Sequence, residues 1–302
     1  MLTHWDADGI VSGSKLLQVI EAPVYIPTIG SWSFEAIPKE ALGDELYVLD
    51  YSMQYEDWEK LCSSVKDLIV IDHHVTSRPP CGKVVNPALE GEAPPSASVV
   101  VSQYLNVPYD WRDAVAIAGD LHDPRGNPLW EAIVKKEGLR GEDTIEAAAL
   151  LNSCYKVMDY ECIKEYTKKL SSMTLNDLLN DEKLIKTREK AKRILDQLVA
   201  SAECFEEGGR RVCVVKDDEA IIMASSLWKR LRDEGETVIV AVGKDRARVY
   251  CRGGDTDYTF LINVIKSLGI KEVGGKRQVC SANLKREELE KVLAALGIKL
   301  NF

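Results

Sequence analysis

Three short apolar runs in the first part of the chain each end on a residue that carries protons or binds metals. Leu2-Thr3 precedes His4, Leu46-Tyr47-Val48-Leu49 precedes Asp50, and Leu68-Ile69-Val70-Ile71 precedes Asp72. Continuous apolar runs separated by helical patterns indicate a parallel sheet covered on both faces. Helices are expected over residues 9–20 and 55–64, with a further strand over 24–27. Ligands of such sheets sit beyond the carboxyl ends of the strands. His4, Asp6, Asp8, Asp50 and Asp72 should therefore share one edge.

Beyond the Pro94-Pro95 break the pattern turns helical, over 96–105, then into Asp120, then over 142–173. A charged stretch over 181–203 has apolar positions at Leu184, Ile185, Ala191, Ile194, Leu195 and Leu198, the spacing of one long helix. Gly208-Gly209 is expected to end it. A second α/β pattern follows, with strands over 212–215, 237–242 and 247–251 and helices over 219–234, 258–268 and 285–296. A chain of 302 residues has room for two domains. The expected organisation is a parallel-sheet domain over 1–180, a connecting helix over 181–204 and a smaller α/β domain over 205–302.

Charge divides along the same line. Residues 1–182 hold 15 Lys and Arg against 30 Asp and Glu, whereas residues 183–302 hold 24 against 18. An acidic half followed by a basic half suits a polyanion bridged by cations on one side and gripped by Lys and Arg on the other. No apolar run is long enough for a membrane span. The opening Met1-Leu2-Thr3-His4 has no basic, apolar leader, so a cytoplasmic location is expected. The eight cysteines form no Cys-x-x-Cys pair and are read as buried, reduced side chains, with disulfides expected only in a hyperthermophile.

All four histidines lie beside aspartates, in His4-Trp5-Asp6-Ala7-Asp8-Gly9, Asp72-His73-His74 and Asp120-Leu121-His122-Asp123. Gathering Asp6, Asp8, Asp50 and Asp120 without cations would force some of them to stay protonated, because like charges raise one another's pKa. Two divalent ions remove that conflict. Imidazole among carboxylates suits Mn2+ better than Mg2+ or Ca2+, with Zn2+ and Co2+ left open.

In this order the clusters resemble the DHH phosphoesterase superfamily: His4-x-Asp6-x-Asp8-Gly9 its first motif, Asp50 its second, Asp72-His73-His74 its third and Asp120 its fourth. The resemblance implies two manganese ions, one held by His4, Asp6 and Asp50, the other by Asp8, Asp50, His73 and Asp120. It leaves His74 for the scissile phosphate and Asp72 to orient an imidazole. His122 and Asp123 fall outside the pattern and are read as surface or capping residues. The second half resembles the DHHA1-type accessory domain of RecJ nucleases and oligonucleotide phosphodiesterases through Val249-Tyr250-Cys251-Arg252 and Val273-Gly274-Gly275-Lys276-Arg277. Relatives often carry histidine where Lys276 stands. Arg252, Gly274, Gly275, Lys276 and Arg277 are the expected substrate-binding residues, in glycine-containing loops.

The expected activity is that of a RecJ-like exonuclease of the short archaeal kind. It would hydrolyse single-stranded nucleic acid by in-line attack of water activated by two ions. Lys276 in place of histidine weakens the case for 5′-phosphate capture and tilts the expectation toward 3′→5′ digestion. A role in repair or replication beside a helicase would fit, and a homo-oligomer is open. The alternatives are a phosphodiesterase for short oligonucleotides or a linear dinucleotide, then a manganese pyrophosphatase, and, from another class, a catalytically silent scaffold like a replicative-helicase subunit.

Overall fold

The computed structural model describes residues 1–121, 123–253, 256–276 and 279–299, Lys276 by its backbone alone. It divides into two compact units, Met1–Lys190 and Ala191–Phe302.

The first unit is built on four parallel strands in spatial order β1 (Leu2–Thr3), β2 (Glu45–Leu49), β3 (Asp67–Ile71) and β4 (Lys83–Val85). The register pairs Leu2 with Val48, Val48 with Val70 and Ile71 with Val85. Pairing continues one step past the strands. The amides of His4, Asp50 and Asp72 donate to the carbonyls of Leu49, Ile71 and Val85 at 3.2, 3.0 and 3.1 Å. Three chemically active residues thus stand in adjacent strands at one edge. The expected strand over 24–27 reduces to a single parallel bridge between Tyr25 and Leu2, since Pro23 and Pro27 on either side cannot donate to a ladder.

Around the sheet lie α1 (Ala7–Leu16), α2 (Tyr55–Cys62), α3 (Ala97–Leu105), α4 (Trp111–Asp120), α5 (Pro128–Glu137), α6 (Gly141–Lys156), α7 (Tyr160–Lys169), α8 (Leu175–Leu179) and the first half of α9 (Glu182–Ala200). Every residue of α1 is buried, because α3, α4, α6 and α7 all pack on it. Its small residues allow that enclosure. Helix α5 is not among the expected elements, although Asn127 before Pro128 and Gly138 after Glu137 are a regular start and stop. The single helical stretch over 142–173 breaks at Met158, which takes a left-handed backbone, and Asp159 then caps α7.

The second unit holds a six-stranded sheet in order β5 (Glu203–Glu207), β6 (Arg210–Val215), β7 (Thr237–Val242), β8 (Arg246–Arg252), β10 (Val279–Lys285) and β9 (Val273–Lys276). Only β6 and β7 run parallel, joined through α10 (Asp218–Leu231). Helices α11 (Thr259–Ser267) and α12 (Leu289–Ala295) complete it, with a core that includes Val240, Val249, Cys251, Ile265 and Leu293. Two readings are corrected here. Gly208-Gly209 does not end the long helix, which stops at Ala200; both glycines take positive φ and turn β5 into β6. Gly274, Gly275 and Lys276 form an edge strand instead of a loop, and Arg252 is the last residue of β8.

The cysteine reading is also corrected. Cys62–Cys81, Cys154–Cys162 and Cys204–Cys213 are disulfides with Cα separations of 5.9, 5.6 and 4.1 Å, and only Cys251 and Cys280 are free and buried. Spacing along the chain hides such pairing. Cys204 and Cys213, for instance, become opposite partners only through the β5–β6 hairpin. Among the described residues no helix is long and apolar enough to cross a membrane.

One buried ion pair ties α1 to α4: the Lys15 ammonium lies 2.7 Å from Asp113, with the two side chains 1% and 0% exposed. Ser102 of α3 also donates to Asp113. Lys15→Ala should destabilise the protein by about 3–5 kcal/mol, as for an uncompensated buried charge. Urea unfolding measures it. A loss below about 1 kcal/mol would mean that Asp113 is already neutral in the native state.

Candidate metal centre

The edge formed by His4, Asp50 and Asp72 is completed by the start of α1 and the end of α4. Asp6 caps α1, its carboxylate accepting the Gly9 amide at 3.0 Å. Gly9 is needed less for a turn than for space, since a Cβ there would sit 2.3 Å from the carbonyl oxygen of His4. Gly119 has the matching role on α4: a Cβ would come within 2.8 Å of the Ala7 methyl. The Gly-Asp pair that ends α4 is thus what lets Asp120 approach the α1 start.

The expected ligands meet there. His4 Nδ1 lies 3.0 Å from Asp6 and 3.6 Å from Asp50 Oδ2. His73 Nε2 lies 3.6 Å from Asp50 Oδ1, 3.5 Å from Asp120 and 3.9 Å from Asp8. His74 Nδ1 is 2.8 Å from Asp72 and 3.9 Å from Asp50. Three groups of side chains are close enough to share an ion: His4, Asp6 and Asp50; Asp8, His73 and Asp120; and Asp50, His73 and His74. In the last, the His74 nitrogen near Asp50 already bonds Asp72, which makes it the weakest of the three.

Asp50 sits between the first two groups. Its backbone is left-handed, with φ 55°, a conformation that Asp tolerates better than most residues. Its two oxygens face different histidines, Oδ2 toward His4 and Oδ1 toward His73. Both His4 nitrogens, Asp50 Oδ1 and His73 Nε2 are buried with no hydrogen-bond partner. Buried polar atoms are rarely left so. Imidazole nitrogens and carboxylate oxygens aimed at one another without shared protons fit a divalent cation, and borderline metals accept that mixed set.

Residues the sequence did not reveal orient these groups. The Pro94 carbonyl lies 3.2 Å from His73 Nδ1. It takes that proton and leaves Nε2 facing the carboxylates. Asp8 accepts the Ala97 and Ser98 amides at 2.6 and 2.8 Å, at the N-terminus of α3. The Asn86 amide donates to the His74 carbonyl, and Asn152 accepts the Ala7 amide. Backbone acceptors and donors carry no residue signature, although Asn86-Pro87 and Pro94-Pro95 mark the turns that supply them. Trp5, Tyr51 and Trp32 surround His4, with ring centres 4.1, 6.4 and 6.4 Å away.

The electrostatics divide accordingly. Burial, then Asp120 and Asp6, push Asp8 well above the usual carboxylate range despite its two amide donors. Burial, then Asp8, Asp6 and Asp120, do the same to Asp50. Asp6, half-buried, is held low against the cost of desolvation by His4 and the Gly9 amide. Asp72 is buried, yet the charge and hydrogen bond of His74 bring it below its ordinary value. Burial opposes the charged form of His74, but Asp72 raises it to about 9. With His74 43% exposed, solvent screens part of that attraction.

The other expected site residues lie in the second unit. Arg252 is half-buried, Gly274 and Gly275 are exposed on β9, and Arg277 falls outside the described residues, as does His122. Asp123 accepts the Arg125 amide and pairs with its guanidinium at 2.8 Å in an exposed turn, while the cap of α5 is Asn127.

Solved structures share this architecture. A DHH-domain protein described as a member of a family of ribosomal proteins is 18% identical with a TM-score of 0.64, over 98% of this chain and 84% of that one. RecJ from Thermus thermophilus in complex with Mn2+ is 16% identical with a TM-score of 0.62, over 98% of this chain and 50% of that one. A pGpG-specific phosphodiesterase from Vibrio cholerae is 13% identical with a TM-score of 0.51, over 98% and 96%. The chain therefore has the DHH-domain, RecJ-like fold and spans about half the length of the Thermus RecJ. No protein-family model and no curated protein matches the sequence.

Raised carboxyls make metal binding proton-linked. Burial and like charge raise the pKa of Asp8 and Asp50 in the metal-free protein, so Mn2+ has to compete with protons there and its affinity should rise with pH. Calorimetry in buffers of different ionisation heat reads the released protons. Binding with no proton release would show that both carboxyls are already ionised before the metal arrives.

Proposed function

We propose that this chain is a metal-dependent phosphodiester hydrolase, a RecJ-like nuclease acting on single-stranded nucleic acid with two divalent cations, Mn2+ foremost. The observation that carries it is Asp50, whose two oxygens face two separate ligand groups. His4, Asp6 and Asp50 would hold one ion, and Asp8, Asp50, His73 and Asp120 the other. Bound there, the cations would activate water and offset charge on the phosphate.

The protein's own groups would do the rest. His73 donates its Nδ1–H to the Pro94 carbonyl, which orients Nε2 toward the carboxylates as the ligand atom. His74 commits Nδ1 to Asp72, which leaves Nε2 to donate to a phosphoryl oxygen. Against the cost of burial, the Asp72 carboxylate raises the His74 pKa to about 9 in the metal-free protein, which favours the charged form. Asp72 would act only through His74. The basic second unit, with Arg252, Gly274, Gly275 and Lys276 toward one end of its sheet, would hold the strand.

A second reading is a phosphodiesterase for short oligonucleotides or a dinucleotide. It is supported by the pGpG-specific enzyme, matched over 96% of its chain, although RecJ structures are matched over 50% and 88% of theirs. Labelled single strands of graded length, down to a dinucleotide, with Mn2+ separate the two readings.

Asp50→Asn should abolish hydrolysis at any metal concentration. His74→Ala should keep its metal content by elemental analysis while kcat falls roughly 10²–10³-fold, as for loss of one charge-stabilising donor. Near-normal turnover by the Asp50 variant would sink the two-ion reading. Metal loss in the His74 variant would make His74 a ligand.

A further inference from the structure

The second unit carries a charge arrangement separate from the metal centre. Helix α10 closes with Leu227-Trp228-Lys229-Arg230-Leu231, followed by Arg232. Trp228 is buried, and its indole N–H donates to the Arg252 carbonyl at 3.0 Å. The guanidinium carbons of Arg232 and Arg252 each lie 5.0 Å from the Trp228 ring centre. One ring thus carries two cations from different elements, no farther apart than twice that distance.

Lys229 adjoins them. Although its residue reaches solvent, the protein around its ammonium, then the charges of Arg252 and Arg232, hold its pKa below the ordinary lysine range. Neighbouring cations are neutralised: Arg230 pairs with Asp196, Arg210 with Glu236 and Arg211 with Asp233. Among the described residues no carboxylate pairs with Lys229, Arg232 or Arg252. The α10 dipole accounts for cations near its C-terminus. It does not account for Arg252, which arrives from a strand to share the same indole.

Contact with the Trp228 ring restrains each guanidinium, so less freedom is lost when its N–H groups bind an oxyanion. Guanidinium groups recognise phosphate through paired, charge-assisted hydrogen bonds. We propose that Lys229, Arg232 and Arg252 form an anion site for a backbone phosphate of single-stranded nucleic acid. The site deepens the proposed function and rests on that reading for its ligand. Lys229 and Arg232 are its new members, supplied by a helix end that no glycine-rich pattern marks.

The test is binding of a fluorescein-labelled oligothymidine 12-mer to the full chain, by anisotropy, in EDTA so that cation bridging and cleavage are absent. K229A/R232A should weaken binding at least tenfold and flatten the salt dependence by about 0.7 for the single phosphate no longer held. K229R/R232K, which retains the charge, should restore the slope and bring affinity within about threefold of wild type. If all three proteins bind alike, the site is overturned, while Mn2+-dependent cleavage by the wild type still stands or falls alone. If K229A/R232A loses affinity but the wild type cleaves nothing, the anion site holds and the hydrolase reading fails. A wild type that binds no strand in EDTA overturns the anion site and leaves the hydrolase reading to Mn2+-dependent cleavage alone.

Discussion

Four aspartates crowded at one sheet edge set the terms for the rest of the first unit. Asp6, Asp8, Asp50 and Asp120 repel one another, and Asp8 and Asp50 are almost without solvent. In a metal-free protein that crowding raises the pKa of Asp8 and Asp50, and donors such as the α3 amides partly offset it at Asp8. The scaffold must then resist expansion. A parallel sheet gives three of its strand ends to the site in register, and a helix enclosed on every side holds the fourth piece in place.

The two units differ in charge. Carboxylates and imidazoles gather at one edge of the first. Cations outnumber acids in the second, partly neutralised by neighbouring acids and, among the described residues, without a carboxylate partner at Lys229, Arg232 and Arg252.

Much of the site was legible because its side chains sit where apolar runs stop. His4, Asp50 and Asp72 follow β1, β2 and β3 directly, and a buried strand is readable from composition alone. What stayed hidden is carried by backbone or by tertiary proximity. The Pro94 carbonyl and the Ala97 and Ser98 amides look like any others in a sequence. Strand β4 is three residues long, and β9 has two glycines, so neither shows strand composition. The Cys204–Cys213 disulfide and the Trp228 cation cluster join residues that only the second sheet brings together.

The hydrogen bonds of the α1 start also reach far along the chain. Asp8 waits for Ala97 and Ser98, 89 and 90 residues later, and the Ala7 amide for Asn152, 145 residues later. Synthesis proceeds at roughly 5–20 residues per second, so on the order of ten seconds separate the emergence of the first ligands from that of their last support. During that interval the nascent chain carries His4, Asp6 and Asp8 without the amides and the carbonyl that orient the site. A cell that makes this protein therefore exposes three candidate ligands well before the groups that would hold them in place.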